Sequence, residues 1–141
     1  MLVGHLALTV AALFTGAAFY INFAEQPARL KLDDRALLAD GNKRGYAIQA
    51  SLALLGFPFG AIAWRQAGTL AFLAGAVLIL ANWPWTLLVL KPTNDALMTT
   101  DLAEAGPDTR ALLHKWNRLH AVRTALGALA VISFLVALSA G

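Results

Sequence analysis

Trp116, His120 and Arg123 recur at spacing i, i+4, i+7, which puts an indole, an imidazole and a guanidinium on one face of a helix. Asn22 and Glu25, spaced i, i+3, share a face of another helix in the same way. Gln49, Lys91, Asn94 and Asp95 also border long apolar stretches. A carboxylate, an imidazole, a guanidinium and amides brought to one place make a small polar site. Each residue also has a plain structural reading. Arg123 snorkels to headgroups, Trp116 anchors at a membrane interface, Glu25 and Arg123 form an ion pair, and Asn94 caps a helix. The cluster says more than its members, because several chain segments must supply it together.

Other chemistries are thinly provided for. The chain has no cysteine, which removes disulfides, thiolate zinc sites, iron–sulfur clusters and a cysteine nucleophile. His5, His114 and His120 are the three histidines. His5 falls at the opposite end of a membrane bundle, roughly 30 Å from His120. His114 and His120 are about 120° apart around one helix, a poor ligand pair. A metal at His120 would need Glu25, Asn94 or a second subunit to complete it.

The elements that position these residues are apolar and long. The chain has 141 residues, 59% of them hydrophobic and 13% charged, with a mean hydropathy of +0.64. Four apolar stretches, 2–24, 47–64, 70–90 and 124–140, predict an all-α bundle of four transmembrane helices, at about 2–24, 47–64, 69–90 and 109–139, because each stretch is long enough to cross ~30 Å of hydrocarbon. Their apolar residues neither alternate nor keep to one face, which excludes strands and surface helices. The first stretch has no Lys or Arg before its apolar run and exceeds a signal-peptide core, so it is expected to remain as a span.

Topology follows from charge. Arg29, Lys31, Arg35, Lys43, Arg44, Lys91, Arg110, Lys115, Arg118 and Arg123 lie on one side of the bundle, and Arg65 alone on the other. The positive-inside rule puts the basic side in the cytoplasm and both termini outside. All eight acidic residues share the cytoplasmic side, so the net charge of +3 and pI of 9.7 point to topology and anionic lipid rather than nucleic acid. Alternation of the helices gathers the ends bearing Asn22, Glu25, Gln49, Asn94, Trp116, His120 and Arg123 at that one face.

Short interfacial helices are expected in the cytoplasmic segments. One spans Ala28–Asp40 and ends at Gly41-Asn42; another begins at Thr93 or Asn94 and ends at Gly106-Pro107. Asp108 is expected to cap the last helix. Pro84 should kink the third helix near Asn82, and the flanking Trp83 and Trp85 leave room for a flat hydrophobic molecule.

Four motifs carry a family resemblance. Gly16-Ala17-Ala18-Phe19-Tyr20-Ile21-Asn22, Glu25-Gln26-Pro27-Ala28-Arg29, Pro92-Thr93-Asn94-Asp95-x-Leu97 and Trp116-x3-His120-x2-Arg123 resemble those of the anthrone-oxygenase-like membrane proteins. The resemblance covers nearly the whole chain. It implies a small four-helix membrane protein, and some fungal relatives oxidise anthrones to anthraquinones with molecular oxygen and no added cofactor. An anthrone is a flat carbon acid whose enolate reacts with oxygen directly. On that reading His120 is the base and Glu25 the second choice, while Arg123 and Asn94 hold the oxyanion. Trp116, Trp83, Trp85, Tyr20 and Asn22 frame and bind the ring.

The expected function is therefore a membrane-embedded oxygenase-like protein acting on a lipophilic anthrone- or quinol-like molecule, in a bacterial inner membrane. The competing readings are a non-enzymatic protein that binds a lipid, a quinone or a partner helix, and a haem or metal carrier. Small residues at Gly16, Ala17, Ala18, Ala121, Ala125, Gly127, Ala128 and Ala130 allow close helix approach and leave a homodimer open beside the monomer.

Overall fold

The computed structural model describes residues 1–39 and 45–141, and these contain helices and no strand. Helix α1 (Leu2–Tyr20) continues through a π-helical turn (Ile21–Glu25) into α2 (Gln26–Arg29). A short α3 (Asp34–Ala39) precedes α4 (Gly45–Ala67). Next come α5 (Leu70–Leu80), α6 (Asn82–Trp85), a second π-helical stretch (Thr86–Leu90) and α7 (Lys91–Thr99). A 3-10 turn (Leu102–Glu104) leads to the long α8 (Pro107–Ser139).

The long helices pack in a ring, with α1 against α4 and α8, and α5 against the same two. The reversal between α4 and α5 takes two residues, and Gly68 makes it at φ 72°, a left-handed conformation that suits a residue without Cβ. Ala7, Ala11, Phe14 and Ala18 from α1 meet Ala53 and Ala63 from α4, Phe72 and Ile79 from α5, and Ala130, Phe134 and Ala137 from α8. Alanine and glycine let the backbones close up, and a few phenylalanines fill what remains. Phe134 sits in a seat made by Gly75: a Cβ there would lie 2.5 Å from the ring.

Large apolar side chains face outward, among them Leu13, Phe19, Ile62, Val77, Leu88 and Ile132. Three helical runs are long and apolar enough to cross a membrane: Leu2–Arg29 with 28 residues, Leu70–Thr99 with 30 and Pro107–Ser139 with 33. These runs mark the chain as a membrane protein.

Two of those runs go further than the apolar stretches predict, and both do so through a wide turn. The first was expected to stop near residue 24 and the third near 90; they reach Arg29 and Thr99. In each wide turn the last backbone N–H bonds five residues back, Gln26 to Ile21 and Lys91 to Thr86. In each case the next residue is proline, Pro27 or Pro92. Proline lacks an N–H and its ring presses on the carbonyl four residues earlier. Widening the turn before it relieves both problems without ending the helix.

The two longer connecting segments also differ from expectation. A single helix over Ala28–Asp40 is not formed; the chain breaks at Leu30–Asp33, and Asp33 Oδ1 accepts from the Ala36 N–H to start α3. The break is held by Arg110 of α8. Its guanidinium donates to Leu30 O and Leu32 O at 2.7 and 2.8 Å, and to Asp34 Oδ1 at 2.7 Å. The expected stop at Gly41-Asn42 lies outside the described residues. Asn94 lies inside α7 rather than at its start, and α8 begins at Pro107, with Asp108 in its first turn. There Thr109 Oγ1 accepts from the Gly106 N–H at 3.4 Å.

Candidate functional site

The site is built on Asn22, in the π turn of the first run, packed against α8. Asn22 Nδ2 donates to the backbone oxygen of Asn117 at 2.9 Å and to Asn117 Oδ1 at 2.8 Å. A backbone carbonyl can only accept, so the amide orientation is determined: Nδ2 faces Asn117 and Oδ1 faces the interior. Oδ1 then accepts from the Thr124 hydroxyl at 2.6 Å and lies 2.9 Å from His120 Nδ1. An acceptor on that side requires a donor on the other, so Nδ1 carries the proton. In the neutral ring the lone pair is therefore on Nε2. His120 is 1% exposed.

The His120 ring is held on one side by Trp116, stacked at 4.8 Å between centroids with planes 24° apart. The Trp116 indole in turn donates from Nε1 to Asn94 Oδ1 at 2.6 Å, tying α7 to α8. Trp85 reaches the same region and donates from Nε1 to Leu119 O at 3.0 Å. Ile21, Leu90 and Trp116, with Trp85, Leu97 and Leu119 against them, form an apolar collar around this end of the bundle.

Arg123 lies one helical turn deeper, buried, with its guanidinium carbon 5.4 Å from the centre of the Phe14 ring. The ring occupies this place because Gly127 has no side chain. A Cβ there would lie 2.5 Å from Thr15 Oγ1 and 3.0 Å from Phe14 Cδ1.

The structure thus brings Asn22, Asn94, Trp116 and His120 into one bonded group, with Arg123 and Trp85 adjoining. Glu25 is placed differently. The π turn changes the phase of the helix, so Gln26, fully buried, takes the inward position and donates from Nε2 to Leu113 O at 3.4 Å. Glu25 is partly exposed and pairs with Arg29 at 3.7 Å. Tyr20 is 61% exposed on the outer face and does not join the group. Trp83 packs against the main core and donates to Ala50 O at 3.3 Å.

Sequence reasoning missed Thr124, Asn117, Gln26 and Phe14. Thr124 and Asn117 had a usable signal, since they flank His120 on α8 at spacings of four and three. Gln26 had the same kind of signal, lying four residues after Asn22, but spacing did not choose between it and Glu25. His5 and His114 are exposed, and among the described residues no three His, Asp or Glu side chains gather as a metal site would require.

Long apolar helices around a buried, hydrogen-bonded histidine at one end define a small helical membrane protein with an internal polar site. The sequence profile described as Anthrone oxygenase matches residues 1–133, and the chain belongs to that family. No curated protein and no solved structure matches it.

Proposed function

We propose that this chain is a four-helix transmembrane protein that oxidises a flat, lipophilic anthrone- or quinol-like molecule with dioxygen, without an added cofactor. Family membership supports the reaction class. The observation that carries the residue assignment is the Asn117–Asn22–His120 relay, which puts the imidazole lone pair on Nε2. In this reading His120 Nε2 takes a proton from the methylene of the anthrone, and the electron pair left behind spreads onto the ring oxygen. Arg123 and Asn94 stabilise that oxyanion, and the indoles of Trp116 and Trp85 hold the ring plane. The enolate carbon reduces dioxygen and bonds to it, giving a peroxide anion that takes up the proton from His120 to become a hydroperoxide. Loss of the second hydrogen with hydroxide, as water, breaks the O–O bond and leaves the ketone. One dioxygen is consumed and one water is formed per anthrone.

Tyr20, on the outer face, has no part in this assignment, and Glu25 yields its place as second base to the His120 relay. The site faces the cytoplasm of a bacterial inner membrane with both termini outside, as the distribution of Lys and Arg supports. A homodimer would use the exposed Ala121 and Ala125 of α8, since Gly127 and Ala130 are buried within the chain.

The test is oxygen uptake by the purified protein in lipid nanodiscs supplied with anthrone, with anthraquinone measured in parallel. Stoichiometric uptake above the rate in empty nanodiscs is expected. Uptake at that background rate overturns the proposal.

A further inference from the structure

A second group of buried polar residues lies one turn deeper than His120, and the four long helices contribute to it together. Trp85 is bonded to Leu119 O, which fixes the relative depth of the third and last spans. Asn82 lies three residues before Trp85 and Arg123 four residues after Leu119, so both sit roughly 5 Å deeper, at the same level. The bond from Trp83 to Ala50 O brings the neighbouring Gln49 of α4 alongside. Asn22, through Thr124, closes the layer from the π turn that follows α1.

Two amide oxygens in this layer have no hydrogen-bond partner among the described residues. Asn82 is 1% exposed, and its Nδ2 donates to Ile79 O at 3.1 Å and Leu78 O at 3.5 Å. Those carbonyls accept only, so Oδ1 points away from its own helix and into the bundle, where nothing donates to it. Gln49 is 2% exposed, and its Oε1 is in the same condition. A buried acceptor left unmet costs more than a made hydrogen bond gains, and leucine or methionine would fill either place without that cost. Each of these two buried oxygens can accept from a donor that a ligand brings.

We infer that Asn82 and Gln49 are the specificity-determining residues of the site: between them they offer the acceptor for a phenolic hydroxyl of the aromatic ligand, which donates its one proton to one of the two amide oxygens. This rests on the proposed function for the ligand's flat, aromatic character. The hydroxyl concerned is one not already bonded to the ligand's own ketone. A pocket built to receive a hydroxyl discriminates strongly against the analogue that lacks it, because its polar groups are then left unpaired.

The experiment is binding under nitrogen to the full chain in nanodiscs, read by quenching of tryptophan fluorescence. The probes are unsubstituted anthrone and an anthrone bearing one hydroxyl on its outer edge, remote from the ketone. The unaltered protein is expected to prefer the hydroxylated probe by about tenfold, the size of one well-made hydrogen bond with its desolvation. The double variant Asn82→Leu/Gln49→Met is expected to reduce that preference to about twofold or less while keeping a cooperative thermal melt. An equal affinity of the unaltered protein for both probes overturns the inference and leaves the proposed function standing. So does a preference that survives in the double variant. Failure of both probes to bind the unaltered protein overturns the proposed ligand class and this inference with it.

Discussion

Asn22 Oδ1 lies 2.9 Å from His120 Nδ1, across 98 residues of sequence, and accepts the Thr124 hydroxyl at the same atom. One amide therefore orients the imidazole, fixes its tautomer and ties the first span to the last. The consequence is a histidine whose proton-free nitrogen is decided by a residue on the first span, 98 positions away in the chain.

Replacing the histidine separates its chemical role from its structural one. In His120→Asn the side-chain amide N–H stands where Nδ1–H stood, so the bond to Asn22 is kept and the base is lost. Turnover of anthrone is expected to fall by roughly 10²–10⁴-fold, with the melting temperature in nanodiscs little changed. Comparable turnover in His120→Asn and the parent removes His120 as the base.

Asn22→Leu should act on stability first. Thr124, His120 and Asn117 each lose a partner, and a buried group left unsatisfied costs about 1–3 kcal/mol. A thermal melt well below that of the parent is expected. Asn22→Asp keeps an acceptor for His120 but turns a second oxygen toward Asn117 O and Oδ1, so it should be destabilised as well. A parental melting temperature in Asn22→Leu contradicts the hub.

Gly127→Ala tests the seat of Arg123. The added Cβ lies 2.5 Å from Thr15 Oγ1 and 3.0 Å from Phe14, so the ring must shift. Overpacking of this kind costs about 1–3 kcal/mol, and the guanidinium above the ring moves with it. Stability and turnover should both drop. Gly16→Ala is the matched control, because a Cβ there meets nothing within 4 Å; it should be neutral or stabilising by up to about 1 kcal/mol.

Arg123→Lys retains the charge and loses the planar fork. A point charge on a flexible stem neither lies flat on Phe14 nor offers paired donors to an oxyanion. Turnover is expected to fall by about tenfold or more while the binding of anthrone, read by tryptophan quenching, changes little. Unchanged turnover would make Arg123 a packing residue only.

Reporter fusions test the orientation. A periplasmic signal from a fusion after Gly141 and a cytoplasmic one from a fusion at Gly106 are expected from the positions of Lys and Arg. A cytoplasmic signal at Gly141 reverses the proposed orientation.

Much of the site was legible from spacing alone. Trp116, His120 and Arg123 lie on an uninterrupted α-helix, where i, i+4, i+7 dependably means one face, and all three are buried. Asn22 was legible for the same reason, being placed by the regular helix that precedes it. The choice between Glu25 and Gln26 was not. The π turn before Pro27 changes the helical phase, and a phase change cannot be read from a period that assumes none. The outward placement of Tyr20 was also hidden, because a span that faces lipid on one side and protein on the other is apolar all round. Composition and the length of the apolar runs determined that this is a helical membrane protein, since burial in hydrocarbon is a property of each segment by itself. Which polar atoms meet was decided only by tertiary packing. The tautomer of His120, the seat of Arg123 over Gly127 and the two unmet oxygens of Asn82 and Gln49 each depend on the register of one helix against another. That register is set by side-chain shape at closely packed glycines and alanines, which no local pattern encodes.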